Sequence, residues 1–200
     1  LIIQNGSPTI RNITIDGASG AYGGGAYVFD GSPSFSDCQF IENYTDIGRA
    51  GAIYVGGTSS VTFTDCLFEG NAAIGTQSPD GAGGAAYIDF GSTANFTSTT
   101  FTRNLASYRT NDQGGASPTK GGAIMAGGDV LVQDSYFFAN KAHYAGAIYA
   151  YNGLTLINHV FDGNKATTPP TGPGGLGGAL VLRANPTLHG NTITCTDGRA

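Results

Sequence analysis

The sequence is poor in several residue types, and each shortage argues against a class of protein. It has no tryptophan, one methionine and only 12% charged residues among 200. No apolar run approaches the roughly 20 residues of a membrane-spanning helix. The formal net charge is −5 and no basic run is present, which argues against binding to nucleic-acid phosphates. We therefore expect no membrane span in this segment and no nucleic-acid partner.

Cysteine and histidine are also scarce. The three cysteines are too few for a disulfide framework and lack the CxxC spacing of a metal site; they are Cys38, Cys66 and Cys195. The three histidines do not converge on one repeat position, and we expect them to be structural or solvated; they are His143, His159 and His189. The sequence predicts no catalytic residue, no metal site and no cofactor.

What the chain does have is glycine, with 33 residues, together with many Thr, Ser, Tyr, Phe and Ile residues. This composition favours strands and tight turns. Two hundred residues suffice for one domain, so we expect a single domain over residues 1–200. The chain starts without Met and ends at "TCTDGRA" without a capping segment, and we expect it to be a segment of a longer protein.

A four-residue motif, Phe, two variable residues and Asn, recurs along the chain. Its phenylalanines are Phe40, Phe68, Phe101, Phe137 and Phe161, and its asparagines are Asn43, Asn71, Asn104, Asn140 and Asn164. Ile15 and Ile193 occupy the phenylalanine position in two degenerate units. An apolar residue lies five positions earlier in every unit, so the chain contains about seven repeats.

A second motif, GGA followed by apolar residues, precedes each repeat. The interval from its alanine to the next phenylalanine is nearly constant, for example 14 residues from Ala26 to Phe40 and 16 from Ala52 to Phe68. The interval from phenylalanine to the next alanine varies, from 10 residues (Phe137 to Ala147) to 22 (Phe101 to Ala123). The repeat is therefore a fixed frame with one variable loop.

This frame predicts an all-β solenoid. Alternation of side chains within strands requires a bend three to four residues before each phenylalanine, where Asp37, Asp65 and Asp134 provide turn chemistry. With the GGA strand, each coil then has three short strands. The pattern is typical of a right-handed parallel β-helix of about seven coils. A β-propeller is the rival, but it requires four longer strands per blade and hairpin turns.

The units "FEGN...GGAAY", "FFAN...AGAIY" and "FDGN...GGAL" resemble the repeat pair of the polymorphic outer-membrane proteins, which are autotransporter passengers. They also resemble related pectate-lyase-like β-helix repeats of other surface proteins. The resemblance covers nearly the whole chain and implies the parallel β-helix fold. It also implies display at a cell surface, without indicating a ligand.

Stacking of coils turns each repeat position into a column. The phenylalanines predict a buried aromatic stack, and the asparagines predict a ladder of amide hydrogen bonds. Cys38 and Cys66 share a column, two residues before the phenylalanine. Two buried thiols are favoured there over a disulfide, since in-register parallel neighbours fit the required dihedral angle poorly.

Two surface features are candidates for binding. The residue two past each GGA alanine predicts an exposed aromatic stripe of Tyr54, Tyr87 and Tyr149, with Val28, Met125 and Val181 in the same column; the alternative is that the stripe packs under a loop. The variable loops, "AAIGTQSPDGA", "LASYRTNDQGGASPTK" and "ATTPPTGPGGL", emerge at one corner and are either recognition loops or passive decoration.

Four N-x-S/T sequons are present. Asn5, Asn12 and Asn95 are possible glycosylation sites in a secretory protein. The fourth, Asn43, belongs to the ladder column and would be a poor acceptor.

These observations favour a non-enzymatic extracellular or cell-surface rod, structural or adhesive, which could form part of an appendage or filament. Its expected partners are neighbouring coils or subunits, and a carbohydrate or a cell-surface receptor. The alternative is a polysaccharide lyase or hydrolase, but the acids at the bend are interrupted by Ser98 and do not cluster as such an active site requires. A lower alternative is ice binding, which needs regular ranks of Thr-x-Thr.

Overall fold

The computed structural model describes residues 1–46, 48–75, 81–108, 118–168, 175–183 and 185–194. In these residues the chain winds into stacked coils, and each strand pairs in parallel with the equivalent strands of the coils beside it. The prediction of a parallel β-helix of about seven coils is confirmed. No helix in this part of the chain is long and apolar enough to cross a membrane.

Four parallel sheets, named here A to D, form the sides of the solenoid. Sheet A contains β1 (Ile2–Gln4), β4 (Ala26–Phe29), β8 (Ile53–Gly56), β12 (Ala86–Ile88), β16 (Ile124–Ala126), β20 (Ile148–Ala150) and β24 (Leu180–Leu182). Sheet B contains β2 (Thr9–Arg11), β5 (Ser34–Ser36), β9 (Ser60–Thr64), β13 (Thr93–Thr97), β17 (Asp129–Gln133), β21 (Leu154–Ile157) and β25 (Thr187–His189).

Sheet C carries the phenylalanine motif, in β3 (Thr14–Asp16), β6 (Gln39–Ile41), β10 (Leu67–Glu69), β14 (Thr100–Thr102), β18 (Tyr136–Phe138), β22 (Val160–Asp162) and β26 (Thr192–Thr194). Sheet D contains β7 (Tyr44–Thr45), β11 (Ala72–Gly75), β15 (Leu105–Tyr108), β19 (Lys141–Ala142) and β23 (Lys165–Ala166). Five of the coils therefore have a fourth strand beyond the three predicted. It lies in the segment whose length varies between coils, so no constant spacing reveals it.

The inner faces of sheets B and C form the aromatic core. Phe40 pairs in register with Phe68, and their rings stack with centroids 4.7 Å apart. Phe63 of sheet B packs edge-on against Phe68 at 5.5 Å, and both are fully buried. Each such ring pair contributes about 0.5–1.5 kcal/mol beyond its buried area, so the two phenylalanine columns lock adjacent coils together.

The predicted bend between sheets B and C is present in every coil. Its central residue adopts a left-handed backbone, with φ between 49° and 65°; the residues are Asn12, Asp37, Asp65, Ser98, Asp134, Asn158 and Gly190. Asn and Asp tolerate this conformation better than other non-glycine residues. The need for a left-handed bend therefore explains the acids of this column.

The corner before sheet A depends on the second glycine of the GGA motif. The first position is left-handed and accepts either glycine or alanine, with φ of 67° at Gly83 and 66° at Ala50. At the second position a Cβ on Gly84 would lie 2.0 Å from the carbonyl oxygen of Gly122. No side chain fits at that distance, so the close approach of consecutive coils requires glycine.

The asparagines lie in a buried column at the corner between sheets C and D. In the middle of this ladder, Asn104 Oδ1 accepts hydrogen bonds from the backbone N–H and the side-chain Nδ2 of Asn71, at 3.1 and 3.0 Å. Asn104 Nδ2 donates to the carbonyl oxygen of Phe68 and to Asn140 Oδ1, both at 2.9 Å. The same pattern joins Asn43 to Asn71 and Asn140 to Asn164.

Removal of one internal amide should destabilise the whole stack. In Asn104→Ala, the amide and N–H of Asn71 and the carbonyl of Phe68 lose buried partners, and we expect a loss of about 3 kcal/mol or more in unfolding free energy. The half-buried Asn164 is the control, because water can replace its amide, and Asn164→Ala should cost only about 1 kcal/mol. Urea denaturation measures both; equal losses would contradict a role for burial.

Candidate functional site: the outer face of sheet A

The column beside the phenylalanines is a buried polar row inside the solenoid. Cys38 and Cys66 are buried free thiols, and each Sγ donates to the carbonyl two residues earlier, at 3.1 Å (Ser36) and 3.3 Å (Thr64). Burial raises the pKa of Cys66 to about 11, so this thiol is a poor nucleophile. Cys195 lies outside the described residues.

His159 continues the same row and is 1% exposed. Its Nδ1 accepts from the N–H of Ser135 at 3.1 Å, and its Nε2 lies 2.8 Å from the carbonyl oxygen of Val132. Nε2 also lies 3.0 Å from the backbone nitrogen of Ile157, so backbone groups surround both ring nitrogens. His143 is also buried, with Nδ1 2.8 Å from Thr119 Oγ1. We expected the histidines to be either structural or solvated, and His143 and His159 are both structural.

The bend acids lie at the surface of the solenoid. Asp37, Asp65 and Asp134 are exposed, and Asp134 Oδ1 accepts a hydrogen bond from Asn158 Nδ2 at 3.1 Å. Within the described ranges, no group of three or more His, Cys, Asp or Glu residues has the geometry to hold a metal ion. The positions of these acids follow from the backbone alone.

The four sequon asparagines differ in exposure to solvent. Asn5 and Asn12 are exposed at left-handed turn positions, and Asn95 is exposed on the outer face of β13. Asn43 is fully buried in the ladder. Glycosylation of the first three stays a prediction.

The expected stripe is a row on the outer face of sheet A, but its register differs at the first coil. Tyr54, Tyr87, Met125, Tyr149 and Val181 pair in succession. Tyr54, however, pairs with Tyr27, whereas Val28 points inward and is fully buried. The three glycines of "GGGAYV" shift the motif by one residue, because Gly25 takes the place that Ala52 has in the next coil. Placing Val28 in the stripe was therefore wrong.

The stripe is also not exposed. Tyr54, Tyr87 and Tyr149 are 7%, 6% and 0% exposed, although they lie on the outer side of the sheet. They form a second apolar cluster with residues of the chain that turns into sheet A, including Ala50 and Ala145. The alternative that the row packs beneath other parts of the chain is the one observed.

Basic side chains cover this tyrosine row. The guanidinium of Arg49 lies 5.0 Å from the ring centroid of Tyr87. Lys120 and Arg183 both lie over Tyr149, at 5.7 and 5.9 Å, and over Tyr151, at 5.5 and 6.0 Å. The face therefore presents cations held over aromatic rings. Arg49 and Lys120 lie three residues before the motif alanine, and Arg183 lies four residues after it; the residue type at these positions changes from coil to coil, so the repeat pattern did not reveal them.

The variable loops connect sheet D to sheet A, on the side where this row lies. Their central parts, residues 76–80, 109–117 and 169–174, lie outside the described residues, so the expectation about their role stays untested. The described ends, such as Gly81 and Lys120, lead directly into the corner before sheet A.

A model of the right-handed β-helix region matches residues 1–197. The chain belongs to the right-handed β-helix family. This match confirms the predicted hand of the solenoid, while the finer resemblance to polymorphic outer-membrane proteins stays a prediction. No curated protein and no solved structure gives a significant match.

Inside this β-helix, His159 should make stability depend on pH. Burial lowers its pKa in the folded state, whereas in the unfolded chain the pKa is about 6.5. Below about pH 6.5 the unfolded state therefore binds a proton that the folded state does not, and stability falls with falling pH.

The variant His159→Ser introduces the residue that the neighbouring coil has at Ser135. It should lose stability at pH 7.5, because it leaves a cavity, but it should show a smaller further loss between pH 7.5 and 5.5 than the original chain. Urea midpoints at the two pH values measure this. An unchanged difference between them would show that His159 is not the group responsible.

Proposed function

We propose that this β-helix is a non-enzymatic rod, exposed outside the cell or at its surface, that binds its target through the outer face of sheet A. The observation that carries the proposal is the row of tyrosines covered by Arg49, Lys120 and Arg183. Aromatic rings and arginine are enriched where proteins bind partners. Adhesion to a glycan or a receptor, and contact with neighbouring subunits, both suit a long face of this kind.

Rigidity supports the same proposal. The asparagine ladder and phenylalanine stacks fix successive coils at one register, so the outer face is held by the scaffold beneath it. A preformed surface loses little conformational entropy when it binds. A rod that holds binding groups at set intervals can also bind several units of a repeating partner at once.

The proposal predicts binding without turnover. The full chain should be retained on immobilised polysaccharides or cell-surface glycans, and it should release no new reducing ends or unsaturated products from them, with or without Ca²⁺. A glycan panel and a product assay measure the two properties. Product formation would establish the polysaccharide lyase or hydrolase alternative, and retention on none of the panel would remove glycans as the target.

A second candidate function is favoured by the outer face of sheet B. Here Ser and Thr hydroxyls lie in register over four neighbouring strands, β2, β5, β9 and β13, in rows that also contain Arg11 and Asn95; the hydroxyl residues include Thr9, Ser34, Ser36, Ser60, Thr62, Thr64, Thr93 and Thr97. Thr93 Oγ1 donates to Ser60 Oγ at 2.9 Å. Outside Arg11 and Asn95, spacings of roughly 4.8 Å between strands and 7 Å along them place the hydroxyls on a lattice. Such a lattice suits ordered water, as an ice-binding face requires.

Ice binding makes its own prediction. If sheet B is the binding face, the chain should inhibit ice recrystallisation, and Thr62→Lys, at the centre of the lattice, should abolish the inhibition by disrupting its flat surface. Thr14→Lys on the outer face of sheet C is the matched control and should leave it unchanged. A chain that fails to inhibit recrystallisation at any concentration would eliminate this candidate.

A further inference from the structure

The outer face of sheet A contains a tyrosine that already binds a carboxylate of the protein itself. The hydroxyl of Tyr54 on β8 donates to Oδ2 of Asp89, which directly follows β12 in the next coil. Burial together with this hydrogen bond raises the pKa of Tyr54, and the nearby Arg49 opposes that rise. A carboxylate, a buried tyrosine hydroxyl and a nearby cation therefore form one satisfied group.

Three coils further on, the corresponding group lacks its anion. Tyr149 on β20 occupies the same column as Tyr54, and the residue that follows the next strand, β24, is Arg183. The position that holds a carboxylate for Tyr54 thus holds a guanidinium for Tyr149. The charge at this position is reversed.

The Tyr149 hydroxyl is fully buried and makes no hydrogen bond of acceptable geometry, although it lies near Tyr151 and Arg183. An unpaired buried hydroxyl costs roughly 1–3 kcal/mol, and native proteins leave few of them. Such a group in contact with a surface site indicates that a partner from outside completes it.

Two cations converge on this tyrosine from the coils on either side. Lys120 immediately precedes the corner into β16, and Arg183 immediately follows β24, while both lie within 6.0 Å of the ring centroids of Tyr149 and Tyr151 on or beside β20. In the described part of the chain, one ion pair is formed, between Arg103 and Glu69 on sheet C. Lys120 and Arg183 therefore face the tyrosines without a carboxylate partner among the described residues.

Aromatic surface adjoins the two cations. Phe90 is 56% exposed, and its ring centroid lies 6.0 Å from that of the half-buried Tyr151. A Cβ on Gly127 would lie 3.5 Å from the Phe90 ring, so Phe90 extends over this glycine and widens the aromatic surface. An aromatic face of this kind suits the C–H face of a sugar ring, whereas it adds little to the binding of a free inorganic anion.

We propose that Lys120, Tyr149 and Arg183 bind the carboxylate of a uronic acid within an acidic polysaccharide, with Phe90 and Tyr151 contacting the neighbouring sugar rings. The carboxylate bridges the two cations and accepts the hydrogen bond of the Tyr149 hydroxyl, as Asp89 does for Tyr54. Arg183 is exposed, so its guanidinium can move with the anion and open the hydroxyl to it. The inference rests on the proposed binding function and names its ligand class.

The test uses the full chain with alginate and galacturonate oligosaccharides, and with the same oligosaccharides after reduction of their carboxylates to alcohols. Calorimetry should show binding to the acidic forms, weakened by salt, and binding at least about tenfold weaker to the reduced forms. Arg183→Gln and Lys120→Gln should each weaken binding by about tenfold or more. Arg103→Gln removes the same charge away from the outer face of sheet A and should change affinity less than about twofold.

Tyr149→Phe separates binding from folding. It removes only the unpaired hydroxyl, so the thermal midpoint should stay the same or rise while affinity falls by about fivefold. A purely structural tyrosine would instead lose stability and keep its affinity. Equal binding of acidic and reduced oligosaccharides, or unchanged affinity of Arg183→Gln, would overturn the proposed site.

Three further outcomes distinguish this inference from the proposed function. Tighter binding of poly-glutamate than of any uronate, with the same dependence on Arg183, would overturn the sugar ligand in favour of an acidic protein. Retention of the chain on neutral glycans, with no binding of either uronate, would overturn this site but leave the adhesive function. Cleavage of the oligosaccharides would overturn the proposed function itself.

Discussion

The hydrogen bond from one ladder amide to the next is the interaction on which the rest of the structure depends. Each internal asparagine satisfies the backbone at the corner between sheets C and D and fixes the register of the coil beside it. A slip by one residue would move every inward phenylalanine to the outside. The ladder thus determines which side chains become core and which become surface. With parallel strands of only two to five residues, few other contacts could hold that register.

The glycine corner imposes the complementary constraint. The ladder holds one corner of the coil, and the second glycine of each GGA motif lets the backbones of adjacent coils approach at another. Between these two corners lies the segment whose length varies most, in sheet D and the loop after it. The repeat tolerates insertions there because they disturb neither the ladder nor the close approach. The fold therefore separates the residues that build the rod from those that can change its surface.

The fold could be predicted from the sequence because its determinants occupy fixed positions. Phe68, Asn71 and the bend residue Asp65 recur at constant spacing, and each has one physical role. The surface was harder to predict. The alternation of side chains along a strand placed Tyr149 on the outer face of sheet A. It could not show what covers this tyrosine, because Lys120 and Arg183 come from other coils. The hydroxyl rows of sheet B could not be predicted either. Ser34 pairs with Thr62 and Ser60 with Thr93, so the rows mix serine with threonine and do not show the Thr-x-Thr pattern in sequence.

Charge around the coil gives the rod two unlike sides. Acids are frequent at the bend between sheets B and C and on sheet C, as at Asp37, Asp65 and Asp162, with Arg11 and Arg103 as the basic exceptions. Lys120, Arg183 and the exposed Lys141 and Lys165 line sheets A and D, where Asp30 and Asp89 are the acidic exceptions. A chain with net charge −5 can thus repel an anionic polymer from one side and attract it to the other. Such asymmetry orients an encounter before any contact forms. An anionic polymer oriented in this way would meet the rod at the tyrosine row on sheet A.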